Sequence, residues 1–331
     1  MSSLSALICQ LAAHEQLQNP DQIVPAAALK MSDSGTIVTP EGESFALTSW
    51  SRSQLSTTLG LRWDRWFAGA SPEQRSEEVN RRLGRCPPAE KLKLRTTQDV
   101  PDDVEAHGTL TALVSPSYTP IPDVAVARLL EAGLRGTAGE PEILRQARTD
   151  KTTSYVVAMG EVQHVGGQVG AVWGALHVQN SGVGHSALTI AAHLVRLSCS
   201  NGMRAPIPMA EIARRTHRGV QLEALGQQIF TGIRNLPAGL QRSMAVLQTA
   251  TSIVVDDVES TLRAILKDSG LPVRTHMAGI LAAFRQEPIM SAFGVGQAIT
   301  FYAAHGKDVE PELGGELERA AGNYLMAAAG A

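Results

Sequence analysis

Cysteine is scarce in this chain: Cys9, Cys86 and Cys199 are the only three in 331 residues. Their odd number and wide spacing exclude a disulfide framework and a paired-cysteine zinc site, and point to a reducing, cytoplasmic setting. Aromatic residues make up 4% of the sequence, too few for an extensive base-stacking platform. Charge of neither sign dominates, with a formal net charge of -3 and a pI near 6.3, so the global basic footprint of many nucleic-acid binders is missing. No apolar run is long enough to span a membrane. The N-terminal MSSLSALICQLAAHEQLQ has no basic leader and is interrupted at His14 and Glu15, which predicts an amphipathic helix carrying Leu4, Leu7, Ile8 and Leu11 on one side.

Catalytic constellations are equally missing. Carboxylates are scattered, and Asp256 and Asp257 read as helix-capping residues, so neither a two-carboxylate hydrolase nor a metal nuclease is indicated. His177, His185 and His193 recur every eight residues, but with Cys199 they match no zinc-finger spacing. If residues 187–194 form a strand, His177 and His193 need not converge. Cys199 reads as a buried structural thiol rather than a nucleophile. The expectation is a protein without metal or cofactor; enzymatic activity is left open, leaning against it, with an enzyme using Cys199 or the histidines as the third reading.

What is present is apolar mass, 44% of the chain, enough for a sizeable core. Residues 28–50 alternate apolar and polar side chains around Asp33-Ser34-Gly35 and Glu41-Gly42-Glu43, predicting a small β-meander. Ser71-Pro72-Glu73 opens one helix, and Pro122-Asp123 opens another whose glycine-rich end stops it. KLKLRTT, GTLTALVSPSY and TSYVVAMGE read as strands, HVGGQ as a turn on Gly166-Gly167. Residues 169–178 are nearly continuous in apolar side chains, as expected of a strand buried on both faces and central to a sheet. From Val220 onward the pattern becomes helical, in segments that include VQLEALGQQIFTGIRNL and LQRSMAVLQTATSIV. The predicted class is α+β, an antiparallel or mixed sheet core with flanking helices and a helical C-terminal third. A soft boundary near Arg218-Gly219 separates an α+β part, 1–219, from a helical part, 220–331, packed on it.

Local basic character stands out against this background. Lys91, Lys93 and Arg95 share one face of a strand, which suits either a phosphate-binding groove or a solvated edge. Arg196, Arg204, Arg214, Arg215 and Arg218, with His217, form the densest positive cluster, suited to tracking phosphates or to a solvated or interface-pairing loop. Trp63 and Trp66, beside Arg62 and Arg65, read as inward-packing side chains flanked by snorkelling arginines rather than a stacking surface. NSGVGHS, residues 180–186, joins two buried elements and reads as a structural turn in preference to an anion nest.

The stretches LTALVSPSYTPIPD (110–123), HVQNSGVGHSAL (177–188), LVRLSCSNGM (194–203), RRTHRG (214–219) and AITFYAAHG (298–306) together resemble the phage/plasmid-like family known as domain of unknown function 932. The similarity runs from about residue 26 to 331, with Asn180, Ser181, Gly184, Cys199, Asn201 and Gly202 carrying its most specific motif. The resemblance implies a mobile-element protein acting in DNA maintenance, recombination or evasion of host defence. The function expected from it is DNA binding of the single-strand annealing kind, like RecT or Red-beta proteins, by a cofactor-free homo-oligomer on single-stranded DNA. The alternative is a non-enzymatic protein-interaction module, such as an anti-restriction or regulatory factor, whose apolar C-terminal helices dock a partner.

Overall fold

A computed structural model describes residues 2–61, 69–102, 104–135, 140–165, 169–198 and 203–330. Trp63, Trp66, the Gly166-Gly167 turn, the glycine-rich end of the helix after Asp123, and Cys199, Asn201 and Gly202 lie outside them. Among the described residues there are nine helices and two six-stranded sheets, the α+β class expected.

The smaller sheet uses β2 (Gln22–Pro25), β3 (Lys30–Met31), β4 (Ile37–Val38), β5 (Ser44–Leu47), β6 (Lys91–Thr97) and β7 (Gly108–Val114), in the order β2-β6-β7-β5-β4-β3. The meander β3 to β5 turns at Gly35 and Gly42, whose φ angles of 82° and 87° favour glycine. Helices α2 (Ser49–Thr58) and α3 (Pro72–Leu83) bury Leu55, Val79 and Leu83 against Ile37, Phe45, Leu94 and Leu110. Ser71 and Gln74 form the capping box that starts α3.

The larger sheet is antiparallel throughout: β1 (Ser2–Ser3), β8 (Glu142–Arg148), β9 (Thr153–Val165), β10 (Gly170–Asn180), β11 (Leu188–Ser198) and β12 (Met203–Arg215), with β9 to β12 adjacent in chain order. As its apolar run demands, β10 lies inside the sheet. The segment between Arg196 and Arg215 is mostly strand rather than loop. Pro206 and Pro208 are accommodated because β12 is the edge, where a missing N–H need not break the ladder.

One face of this sheet buries Tyr155, Val157, Leu176, Val178 and Ile190 against α1 (Leu4–Gln16), α4 (Asp123–Leu134) and the first half of α5 (Leu222–Ser252). The second half of α5 enters another core with α6 (Val258–Asp268), α7 (Val273–Gln286), α8 (Ala292–His305) and α9 (Pro311–Ala329). The periodicity divides residues 220–254 into two segments around Pro237, yet the structure runs one helix through it. An interior proline costs roughly 3 kcal/mol. Leu225, Ile229, Ile233 and Leu236 before it and Leu247 after it are buried, and at roughly 2 kcal/mol each they outweigh that cost. No helix among the described residues is long and apolar enough to cross a membrane.

The seat of α8 offers a check on this packing. A Cβ on Gly294 would overlap the carbonyl of Ile289. Gly294→Ala should gain about 1 kcal/mol of helix propensity but lose about 1–3 kcal/mol to overpacking. A net loss of stability is therefore expected in urea unfolding, where a gain would show that the backbones separate freely.

Candidate functional site

Between β10 and β11 the chain leaves the ladder, so the carbonyls of residues 181–183 need donors from elsewhere. They find them in the other sheet's layer. Tyr118 Oη donates to Ser181 O at 2.8 Å, Arg95 Nη1 donates to Gly182 O, and Val183 O accepts from Trp50 Nε1 at 2.9 Å and Gln54 Nε2 at 3.0 Å. Asn180 is buried and donates to Ile121 O at 2.8 Å and Asp123 Oδ1 at 2.7 Å. Ser181 Oγ donates to Lys151 O and accepts from His185 N. With three successive carbonyls turned to donors, this joint is a rivet between the sheets, a tie that the reading of residues 180–186 as a turn does not include.

The rivet consumes part of the basic strand face. Besides Gly182 O, Arg95 reaches Asp21 at 3.1 Å and Gln18 at 2.9 Å, while Lys93 Nζ donates to Tyr118 O at 2.6 Å. Lys91 is exposed. His217 is buried, stacks on Tyr118 with ring centroids 5.1 Å apart, and accepts from Ile121 N at 3.2 Å through Nδ1. It therefore braces the rivet. Arg214, Arg215 and Arg218 are exposed around it, with Glu211 4.0 Å from Arg214. Arg218 lies on a groove of about 410 Å³ whose wall includes Gln54, Ser115, Tyr118, Ser186 and Thr216. The backbones of Arg196 and Arg204 belong to β11 and β12, in neighbouring register; their side chains lie outside the described residues.

On the sheet face away from α1 and α4, the register builds a second cluster. Arg145, Val156, His177, Ala191 and Glu211 stand directly opposite one another across five strands, and His193 opposes Ala175 in the next row. His177 and His193 are thus diagonal neighbours on adjacent strands, with ring centroids 5.1 Å apart. The expectation that they need not converge is overturned, because both lie on the same face of one hairpin. Glu318 of α9, 1% exposed, completes the group, Oε1 bound to Arg145 at 3.1 Å and Oε2 lying 3.8 Å from His177 Nδ1. Burial holds the His177 imidazolium down to about 3 and His193 well below its usual range, with Arg145 adding to both. Burial also raises Glu318 to about 7, against the pull of Arg145. Glu318 and Arg145 escape sequence reading, although the buried series Gly314, Leu317, Ala321, Leu325 flags a carboxylate on the core stripe of α9.

Comparison of the chain with protein-family models, with curated proteins and with solved structures finds no match.

Two outcomes follow from the rivet. Asn180→Ala strips Ile121 O and Asp123 of a buried donor, and should cost about 1–3 kcal/mol in denaturant unfolding. His217 is held down to about 4, first by burial and then by Arg95, whereas the unfolded imidazole titrates near its ordinary 6.5. The unfolded chain thus binds more protons between these values, and this contribution to stability falls as pH drops from 6.5 towards 4. His217→Asn, which keeps an acceptor for Ile121 N, should flatten that part of the stability profile. An unchanged slope would show that His217 is not held neutral.

Proposed function

We propose that this chain binds a nucleic-acid strand through the exposed arginines at the end of β12. The observation that carries the reading is the exposure of Arg214, Arg215 and Arg218 within five residues, with Arg218 on a groove that includes hydroxyl and amide groups. Guanidinium groups suit phosphate oxygens, and hydroxyl and amide donors suit the same backbone. Lys91 is a further exposed cation on β6, while His217 lines the groove and Lys93 and Arg95 are held in the rivet behind it. On the resemblance to the phage/plasmid-like family, the natural ligand is single-stranded DNA and the activity is cofactor-free annealing by a homo-oligomer in the cytoplasm. Repetition of one modest patch around an oligomer supplies by multivalency what the acidic chain lacks in total charge.

The protein-docking alternative loses its main support, because the C-terminal helices turn their apolar faces into their own core. Among the described residues only Ile23, Leu222, Val254 and Met290 are exposed large hydrophobics.

Binding to labelled single strands across a salt series tests the proposal. Arg214→Ala/Arg215→Ala should weaken binding at low salt and reduce the slope of log K against log salt by roughly 1.4, about 0.7 per lost phosphate contact. Arg95→Met, which removes a rivet donor, should instead lower the melting temperature and leave the slope unchanged. Absence of binding at low salt, or a slope indifferent to the arginine pair, would overturn the assignment.

A further inference from the structure

The geometry points to a divalent transition-metal site in which His177, His193 and Glu318 are the protein ligands. The potential ligand atoms of these three residues all lie within 4.8 Å of one another. Around a tetrahedral ion with bonds of about 2.1 Å, ligand atoms are roughly 3.4 Å apart, so side-chain shifts of about an ångström would close the set. Two imidazoles and one carboxylate form the donor set of open zinc centres and of non-haem iron sites, with imidazole also accepting copper or nickel.

Unmet bonding is the second, independent observation. Glu318 Oε2 and His193 Nδ1 are buried and have no hydrogen-bond partner, while Oε2 stands 3.8 Å from His177 Nδ1, beyond hydrogen-bond reach. Buried polar atoms are ordinarily paired. Among the buried atoms left without a partner, these two belong to residues that, with His177, converge on one point. Arg145 occupies only Oε1, which orients the carboxylate and leaves Oε2 free, as an outer-shell partner does around a bound ion. A salt bridge alone would account for Oε1 but not for the two orphaned atoms.

The elements suit such a site. Two adjacent strands fix the histidines, and the opposing Ala175 and Ala191 leave space above the sheet. α9 lowers Glu318 from the other side. A pocket of about 300 Å³ adjoins the cluster, with Gln179, Thr189, Arg319 and Asn323 among its walls. The coordination positions not taken by protein would open there, and Arg319 favours an anionic or water-derived ligand on the ion. Glu211 borders the same pocket and offers a further oxygen. None of the three ligands is among the arginines proposed for strand binding, although Glu211 on the pocket wall lies 4.0 Å from Arg214, and the two proposals are tested separately.

The test uses the full chain, stripped with a chelator and titrated with Zn2+ by calorimetry and with Co2+ by its visible absorption. The expected result is about one ion per chain, a cobalt spectrum of tetrahedral or five-coordinate nitrogen and oxygen ligation, and a metal-dependent rise in melting temperature. His177→Ala, His193→Ala and the nearly isosteric Glu318→Gln should each weaken binding by more than the roughly 10- to 100-fold typical of an outer-shell change. His164→Ala, on an exposed histidine of β9, should bind as the parent does. Because a buried variant can fail to fold, the parent protein's own titration is decisive. No ion taken up by the stripped parent, or equal binding by it and a folded Glu318→Gln, would overturn the assignment.

Discussion

The joint between β10 and β11 sets the terms for the rest of the molecule. A chain leaving an interior strand carries carbonyls that the ladder no longer satisfies, and burying them unpaired would cost about 1–3 kcal/mol each. Residues 181–183 meet this demand with donors from α2, β6 and the loop after β7. Asp150, between β8 and β9, adds a second tie by accepting from Trp50 N at 2.8 Å at the start of α2. The two sheets have separate main cores, and these polar contacts, with a small apolar cluster of Ala112, Val114, Tyr118 and Val183, join their layers.

This constraint explains the uneven use of basic residues. On a strand isolated from its context, Lys91, Lys93 and Arg95 are equivalent every second residue. In the fold they grade from solvent inward: Lys91 is free, Lys93 holds a carbonyl, and Arg95 is enclosed by Gly182, Asp21 and Gln18. Alternation identifies a face but does not reveal what that face meets. Of the described basic residues that the sequence singles out, those exposed in the fold are Lys91 and, at the end of β12, Arg214, Arg215 and Arg218.

Much of the architecture was legible because it depends on local chemistry. Positive-φ glycines placed the meander turns, Ser71-Pro72 and Asp257 marked helix starts, and the apolar run of β10 announced an interior strand. What escaped depends on tertiary context. β12 looks unlike a strand because Pro206 and Pro208 are tolerable only at an edge, and edge status is a property of the whole sheet. β8, lying between β1 and β9, showed no strong alternation to give it away. The histidine pair was noticed by its spacing, but convergence required the register of one hairpin, and Glu318 lies 125 residues beyond His193 on a different element.

The continuous helix α5 has a consequence for how the protein comes apart. At 31 residues it is about 46 Å long, and its two halves are rooted in different cores. Melting either core would leave half of the helix without its buried face, and a helix without tertiary support is marginal in water. The sheet layer and the C-terminal helices are therefore yoked into one cooperative unit, with amide protection along α5 set by the opening of both rather than of the weaker alone.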